Sequence, residues 1–500
     1  MGFNLASPFH ASAERVPNRI ALEVDGHSFT YAELRERVQS VAGSIGAHGL
    51  GARVAIFTRR SLETYLGILG TLWAGGTYVP LNPTLPEERL ARMLETSRAK
   101  IIITDSENLA RLTPRLRGEA EIIIPSRLAP SVGPPLAEVP EAHVAYVEFT
   151  SGTTGFPKGV MVPSRAVEAF LSACRVRFPS SEVDRFAAMS EITFDLSVFD
   201  MFSAWDRGAA LHVVPSGQVM MPLGFLQQRA ITVMLTVPST VAMLTRMKLL
   251  RPGALPDLRS SLFCGEPLPL SSAHAWAAAA TNSELHNLYG PTEATVACSH
   301  QRYVGEATPS ARGIMSIGVP FPGTEFAVLS EHRTFAKADE AGELAIGGAQ
   351  LAHGYDQDAE KTAQKFITLE GKRWYLTGDR AERDAEGRFF HLGRVDNQVK
   401  VLGMRVELED VEAHLREVFE TPGVAAVAWP TRSGTADGIV AFVCAPDLAS
   451  RLPELRKRLK LQLPAPMVPT AVHLVERLPL NANGKVDRAA LVATLDATPT

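Results

Sequence analysis

Apolar and polar positions along the chain alternate between two periods. Ile20-Ala21-Leu22-Glu23-Val24, a turn at Asp25-Gly26 and Ser28-Phe29-Thr30-Tyr31 predict a hairpin within residues 17–34. From Tyr31 to Ala47 the apolar residues Leu34, Val38, Val41, Ala42 and Ile45 recur at helical spacing. Val54–Phe57 reads as a short strand and Leu62–Trp73 as a helix stopped by Gly75-Gly76. Tyr78–Leu81 reads as extended chain. Pro86-Glu87-Glu88 places a proline and two acids in a first turn, which opens another helix. Ile101–Ile103 and Ile122–Ile124 are short apolar runs of the buried-strand kind. This alternation predicts a largely parallel, doubly wound α/β sheet.

Residues 125–141 hold five prolines and read as a loop or linker. The strand–helix pattern then resumes, with a helix at 164–174 and apolar runs at Phe186–Met189, 208–215, 230–237, Leu258–Phe263 and Leu285–Tyr289. Several of these runs end in short Gly/Pro/acid loops, where open α/β sheets bind ligands. From 316 to 394 short alternating strands and glycine turns take over, predicting a β-rich subdomain. Gly393-Arg394-Val395-Asp396 reads as a boundary. Beyond it, Glu407–Phe419 is an amphipathic helix with Leu408, Val411, Leu415 and Val418 on one face. Strands near 424–429 and 438–444 and a helix at 453–463 complete a small α+β domain.

Five hundred residues are enough for more than one domain. Apolar content of 46% and charged content of 21% are ordinary for a globular chain. The net charge of −4 offers no basic face, so nucleic acid is not an expected partner. Cys174, Cys264, Cys298 and Cys444 are widely spaced, which fits reduced, mostly buried thiols. No basic segment followed by an apolar core opens the chain, and no apolar run approaches about 18 residues. A cytoplasmic protein without a membrane span is expected.

One stretch carries chemistry. After Val144–Val147 come Phe149-Thr150-Ser151-Gly152-Thr153-Thr154-Gly155-Phe156-Pro157-Lys158-Gly159. Glycines let backbone N–H groups approach an anion, hydroxyls add donors, and Lys158 adds a mobile positive charge. The combination suggests a grip on a polyphosphate. It is not a Walker A sequence, because Pro157 stands where that pattern needs its second glycine.

Other stretches recur with it in a fixed order. They are Phe194–Asp200, Asn287-Leu288-Tyr289-Gly290-Pro291-Thr292-Glu293, Gly342–Tyr355, Tyr375–Asp379, Gly393–Glu412 and Asn483-Gly484-Lys485. Together with Thr150–Gly159, they resemble the adenylate-forming superfamily, and within it the stand-alone amino-acid adenylation enzymes of nonribosomal peptide synthetase type. The resemblance covers nearly the whole chain. It implies a large N-terminal adenylation core over 1–395, with doubly wound sheets and a β-rich subdomain. A small mobile α+β domain over 396–500 would follow. It further implies that an amino-acid carboxylate attacks ATP to give aminoacyl-AMP and pyrophosphate. The acyl group would then pass to the phosphopantetheine thiol of a separate carrier protein.

The resemblance also implies roles. Thr150, Ser151, Thr153, Thr154, Gly155 and Lys158 would hold phosphates. Glu293, with Thr154, would bind Mg²⁺, a hard cation suited to carboxylate and phosphate oxygens. Gly265, Glu266, Asn287, Leu288, Tyr289, Gly290, Pro291 and Thr292 would border the nucleotide. Asp379 would accept the ribose hydroxyls and Arg394 would reach ribose or phosphate. Lys485 would be catalytic, because a fixed cation stabilises the charge of two meeting anions. Asp396 would be the hinge. Asp195 would pair with the substrate's α-ammonium. Leu196, Phe199, Leu235, Leu262, Cys264, Leu288, Val296 and Ala297 would line the side-chain pocket, and none is charged. The expected substrate is a small neutral amino acid.

Phe194–Val198 and Leu262–Glu266 are similar to D-alanine:carrier-protein ligases, and Leu196, Leu262, Leu288 and Val296 to prolyl carrier-protein ligases. Alanine therefore ranks first and proline second. A CoA ligase for a small carboxylic acid and a silent adenylation fold acting as a binding partner are the alternatives. Ser164 departs from the histidine of many relatives.

Overall fold

The computed structural model describes residues 2–129, 133–150, 157–395, 398–401, 403–432, 435–480 and 486–497. Its contacts divide into two units, changing over between Gly393 and Arg394; Thr84–Leu90 and Thr150–Lys158 group with the later residues.

The first unit is built on two large sheets. One has the order Val319–Pro320, Ser299–Arg302, Glu284–Tyr289, Ser260–Phe263, Val233–Thr236, Arg185–Ala188, Ala210–Val213, Ile20–Val24, His27–Thr30. The six strands from Glu284–Tyr289 to Ile20–Val24 are parallel. Antiparallel strands close both edges. The other sheet runs Gly354–Tyr355, Lys158–Pro163, Val144–Thr150, Thr77–Leu81, Arg53–Phe57, Ile101–Thr104, Glu121–Ile123, and its last five strands are parallel. The expected doubly wound α/β arrangement is present, with two sheets instead of one.

Local signals explain the elements. The helix Tyr31–Gly46 starts at a capping box in which Thr30 Oγ1 accepts from the Glu33 N–H and Glu33 accepts from the Thr30 N–H. Its stripe Leu34, Val38, Val41, Ala42 and Ile45 is fully buried. The helix Leu62–Trp73 has the bounds its apolar pattern predicts. Tyr78 and Tyr146 of one sheet and Leu262 and Leu288 of the other belong to the same apolar core. Burial of each such side chain is worth about 1.5–3 kcal/mol, which fixes the two sheets against each other. The β-rich region is a five-stranded antiparallel sheet built on Thr324–Leu329, Gly342–Gly348, Lys372–Arg383 and Phe366–Leu369, with Phe389–Arg394 paired to the long strand.

The second unit has its own core. The helix Leu408–Phe419 buries the predicted Leu408, Val411, Leu415 and Val418 against strands Val424–Ala428 and Ile439–Val443. The helices Leu452–Gln462 and Arg488–Asp496 complete it. Among the described residues no helix is long and apolar enough to cross a membrane. Cys174, Cys264 and Cys298 are buried and Cys444 is half-buried, and among the described residues none of them forms a disulfide.

Candidate active site

The strand Glu284–Tyr289 delivers Tyr289 and Gly290 to the carboxyl edge of its sheet. A Cβ on Gly290 would sit 2.5 Å from the Ala297 Cα and 2.9 Å from the Val296 carbonyl oxygen, so only glycine fits. The chain then makes a tight turn over Thr292–Ala294. Glu293 on this turn is fully buried, and the Tyr355 hydroxyl donates to its Oε1 at 2.8 Å.

Two consecutive non-glycine residues follow in left-handed conformation, Thr295 at φ 59° and Val296 at φ 65°. Such residues cost about 1–2 kcal/mol each. Gln350, 1% exposed, offsets that cost. Its amide nitrogen donates to the carbonyls of Ala297 (2.8 Å), Ala294 (3.3 Å) and Thr295 (3.3 Å). The Thr295 hydroxyl donates back to the Gln350 carbonyl at 2.7 Å, and the Thr324 hydroxyl donates to Gln350 Oε1. Gln350 thus holds the turn that carries Glu293 on one side and Val296-Ala297 on the other.

Asp379 is buried and accepts on both oxygens. The Tyr289 hydroxyl donates to Oδ2 at 2.5 Å, and His391 Nε2 lies 3.3 Å from Oδ1. Asn287 is buried, its Nδ2 donating to the Ser316 carbonyl at 2.9 Å, while its Oδ1 is a buried acceptor with no partner among the described residues. Gly265, at φ 89°, ends the strand Ser260–Phe263 in a conformation suited to glycine. The next residue, Glu266, accepts from the Ser239 N–H at 2.7 Å.

Asp195 stands at the cap position of the short helix Leu196–Val198, yet its side chain makes no capping bond. A wide π-type turn over Phe199–Ser203 follows, a feature enriched at functional sites. It carries Asp200, 1% exposed, whose Oδ2 accepts from the Met189 (3.0 Å) and Ser190 (3.3 Å) N–H groups. Burial pushes the Asp200 carboxyl up to about 8, against the pull of those N–H groups and of Arg60. Leu196, Phe199, Leu235, Leu262, Cys264, Leu288, Val296 and Ala297 are all buried in one apolar core.

The AMP-binding enzyme family matches residues 9–356. The chain belongs to this adenylate-forming family. A linear gramicidin synthase of Brevibacillus parabrevis is 36% identical over 505 residues, a match that covers 98% of this chain and 6% of that protein. Among the first three curated relatives the chain spans 6%, 10% and 38% of their length. The solved Vibrio cholerae adenylation domain AlmE, in complex with glycyl-adenosine-5'-phosphate, is 30% identical with a TM-score of 0.90. That match covers 100% of this chain and 98% of AlmE. The solved holo-PA1221, a nonribosomal peptide synthetase protein containing adenylation and PCP domains, is 26% identical with a TM-score of 0.83. It covers 98% of this chain and 84% of that one.

In this AMP-binding enzyme the predicted residues fall into three groups. The apolar eight, Asn287 to Glu293, Gly265, Glu266, Asp195 and Asp379 all lie within the first unit. Thr150 and Lys158 end and begin the strands Val144–Thr150 and Lys158–Pro163, and Arg394 ends Phe389–Arg394. Ser151, Thr153, Thr154, Gly155, Asp396 and Lys485 lie outside the described residues. Leu480 and Val486, on either side of 481–485, pair in a β-bridge. Ser164, where many relatives have histidine, is buried with its Oγ 2.9 Å from His143 Nδ1. His143 Nε2 lies 3.1 Å from the Gly75 carbonyl. Sequence reasoning did not single out Gln350, whose partners are 53–56 residues away, nor Asp200 and Glu148 as buried acids.

Replacing Gln350 with alanine strips the donor from three buried carbonyls. Denaturant unfolding is expected to show a loss of about 2–3 kcal/mol; an unchanged midpoint would count against the clamp. Asp200 provides a pH test. Its folded pKa of about 8 lies above the ordinary 3.8. The folded state therefore holds the proton more tightly, and stability falls as pH rises from about 4 to about 8. Asp200→Asn cannot ionise, so its unfolding midpoint should vary less than wild type across that window. Parallel pH dependences would contradict the assignment.

Proposed function

We propose that this chain uses ATP to activate a small neutral amino acid, alanine first and proline second. The amino-acid carboxylate oxygen bonds to the α-phosphorus, and the bond to the β-phosphate breaks with release of pyrophosphate. The phosphopantetheine thiol of a separate carrier protein then takes the acyl group as a thioester and AMP leaves. One observation carries the reading. The eight uncharged residues assigned to the side-chain pocket are all buried in one apolar core, and Asp195 immediately precedes one of them, Leu196, in the chain.

The lining sets size and polarity, and Asp195 accepts the substrate ammonium. The Asn287 Oδ1, a buried acceptor without a partner among the described residues, suits the adenine amino group, and Tyr289 packs beside the base. The Asp379 carboxylate accepts from the ribose hydroxyls, its orientation set by Tyr289 and His391, and Arg394 reaches ribose or phosphate. Thr150, Ser151, Thr153, Thr154, Gly155 and Lys158 hold the departing phosphates.

Glu293 is a carboxylate suited to Mg²⁺, with Thr154 as a further oxygen, and the ion would neutralise phosphate charge. Lys485 stabilises the charge gathered in the transition state. Residues 396–500 act as a mobile domain that turns about Asp396 between the two half-reactions. The change of contacts after Gly393 supports a boundary there.

The glycyl adenylate in AlmE supports a small amino-acid substrate, and the PCP domain of holo-PA1221 supports a carrier partner. Amino-acid-dependent ATP–pyrophosphate exchange across the common L- and D-amino acids tests the reading. Alanine or proline should give the strongest exchange. A charged or large aromatic amino acid as best substrate would overturn the pocket assignment, and no exchange with any amino acid would overturn the function.

A further inference from the structure

One buried acid has no role in the reaction just described. Glu148 interrupts the apolar run Val144–Phe149, where its neighbours Val147 and Phe149 face the other side of the strand, towards Gly159. On the face it shares with Glu148, Tyr146 pairs in register with Tyr78 of the adjacent strand, the two rings stacking at 5.3 Å. Glu148 is 2% exposed and Tyr146 fully buried, yet among the described residues neither Glu148 Oε1 nor the Tyr146 hydroxyl has a hydrogen-bond partner. Polar atoms buried in this way normally find partners.

The charge of Asp195 acts on the same cluster. Burial first, and then the charge of Asp195, hold the Glu148 carboxyl well above the ordinary carboxylate range. Burial and Asp195 likewise raise Tyr146, and burial, Glu148 and then Asp195 raise Tyr78. Among the described residues, Asp195, Tyr146 and Tyr78 are the titratable groups whose charge acts together with that of Glu148.

We propose that Glu148 is a second specificity-determining carboxylate, which takes the substrate ammonium jointly with Asp195 while the Tyr146 hydroxyl completes the buried polar cluster. The proposal rests on the reading that Asp195 meets the amine. Burial favours the protonated form of Glu148 in the free protein. An arriving ammonium favours the ionised form of a nearby buried acid, so Glu148 gives its proton to solvent as the amine binds. Two carboxylates then share the N–H donors of one cation. An amine suits this pocket, and the same acid lacking the amine leaves buried carboxyls unpaired. Because Glu148 must lose its proton, substrate affinity rises with pH until the amine itself deprotonates.

The test compares wild type, Glu148→Gln, Glu148→Leu and Asp195→Asn in pyrophosphate exchange from pH 6 to 8.5, with the preferred amino acid and its counterpart lacking the amine. Glu148→Gln should raise the amino-acid KM about tenfold or more while kcat and the KM for ATP stay within about twofold. Its amino-acid KM should no longer fall with rising pH. Glu148→Leu removes the buried acid, so it should fold at least as stably as wild type and show the same KM defect. A purely structural role would move stability and both KM values together and leave the pH profile in place. If both Glu148 variants keep the wild-type KM and pH profile while Asp195→Asn loses the amine preference, the carboxylate pair alone is overturned. If wild type itself does not distinguish the two acids, the amine-binding role of Asp195 falls as well.

Discussion

A carboxylate taken out of water must find a donor or a cation, and this fold is arranged around several that have been. Ionising an isolated acid in an apolar interior is so costly that the group protonates instead. Four of the buried acids come with donors of their own. Asp379 has Tyr289 and His391, and Glu293 has the Tyr355 hydroxyl. Glu266 has the Ser239 N–H, and Asp200 has two N–H groups from the end of a neighbouring strand. The Tyr289, Tyr355 and Ser239 donors lie 90, 62 and 27 residues from their acids, so those acids can be held only once the chain has packed. Among the described residues no donor reaches Glu148 Oε1, which leaves that oxygen open to a partner that arrives from outside.

The packing that makes this possible is the apolar core shared by the two parallel sheets. It places strands such as Glu284–Tyr289 so that their carboxyl ends supply short loops to the candidate site. The loops are not slack. Gly290 admits a backbone approach that any Cβ would block, and Gln350 holds two left-handed residues beside Glu293. The same turn leads directly into Val296 and Ala297 of the apolar lining. A change in that turn would therefore reach both the carboxylate assigned to Mg²⁺ and the pocket wall.

Much of the fold was legible because period and punctuation agreed. Leu62–Trp73 carries a dense apolar run ended by two glycines, and Leu408–Phe419 carries a clean stripe with acids at its start. Other features lacked local contrast. The helix Leu270–Ala279 is rich in alanine, so its faces differ little. The antiparallel edge strands Ser299–Arg302 and Val319–Pro320 are short and partly polar. In the candidate site, motif order named Asp379 and Tyr289, but their bond joins residues 90 apart and leaves no trace in either segment. Gln350 was hidden for the same reason. Glu148 did leave a signal, a lone acid inside an apolar strand, which a search for phosphate-binding residues passes over.

The central claim is that a buried negative charge reads an amine at the end of an uncharged pocket. The most direct measurement is a competition in which wild-type protein receives its preferred amino acid and the same acid without the amine, with adenylate formation followed for each. The account predicts a preference of about a hundredfold or more in kcat/KM for the amine-bearing acid, equivalent to about 2.7 kcal/mol. Equal kcat/KM for the two acids would contradict it.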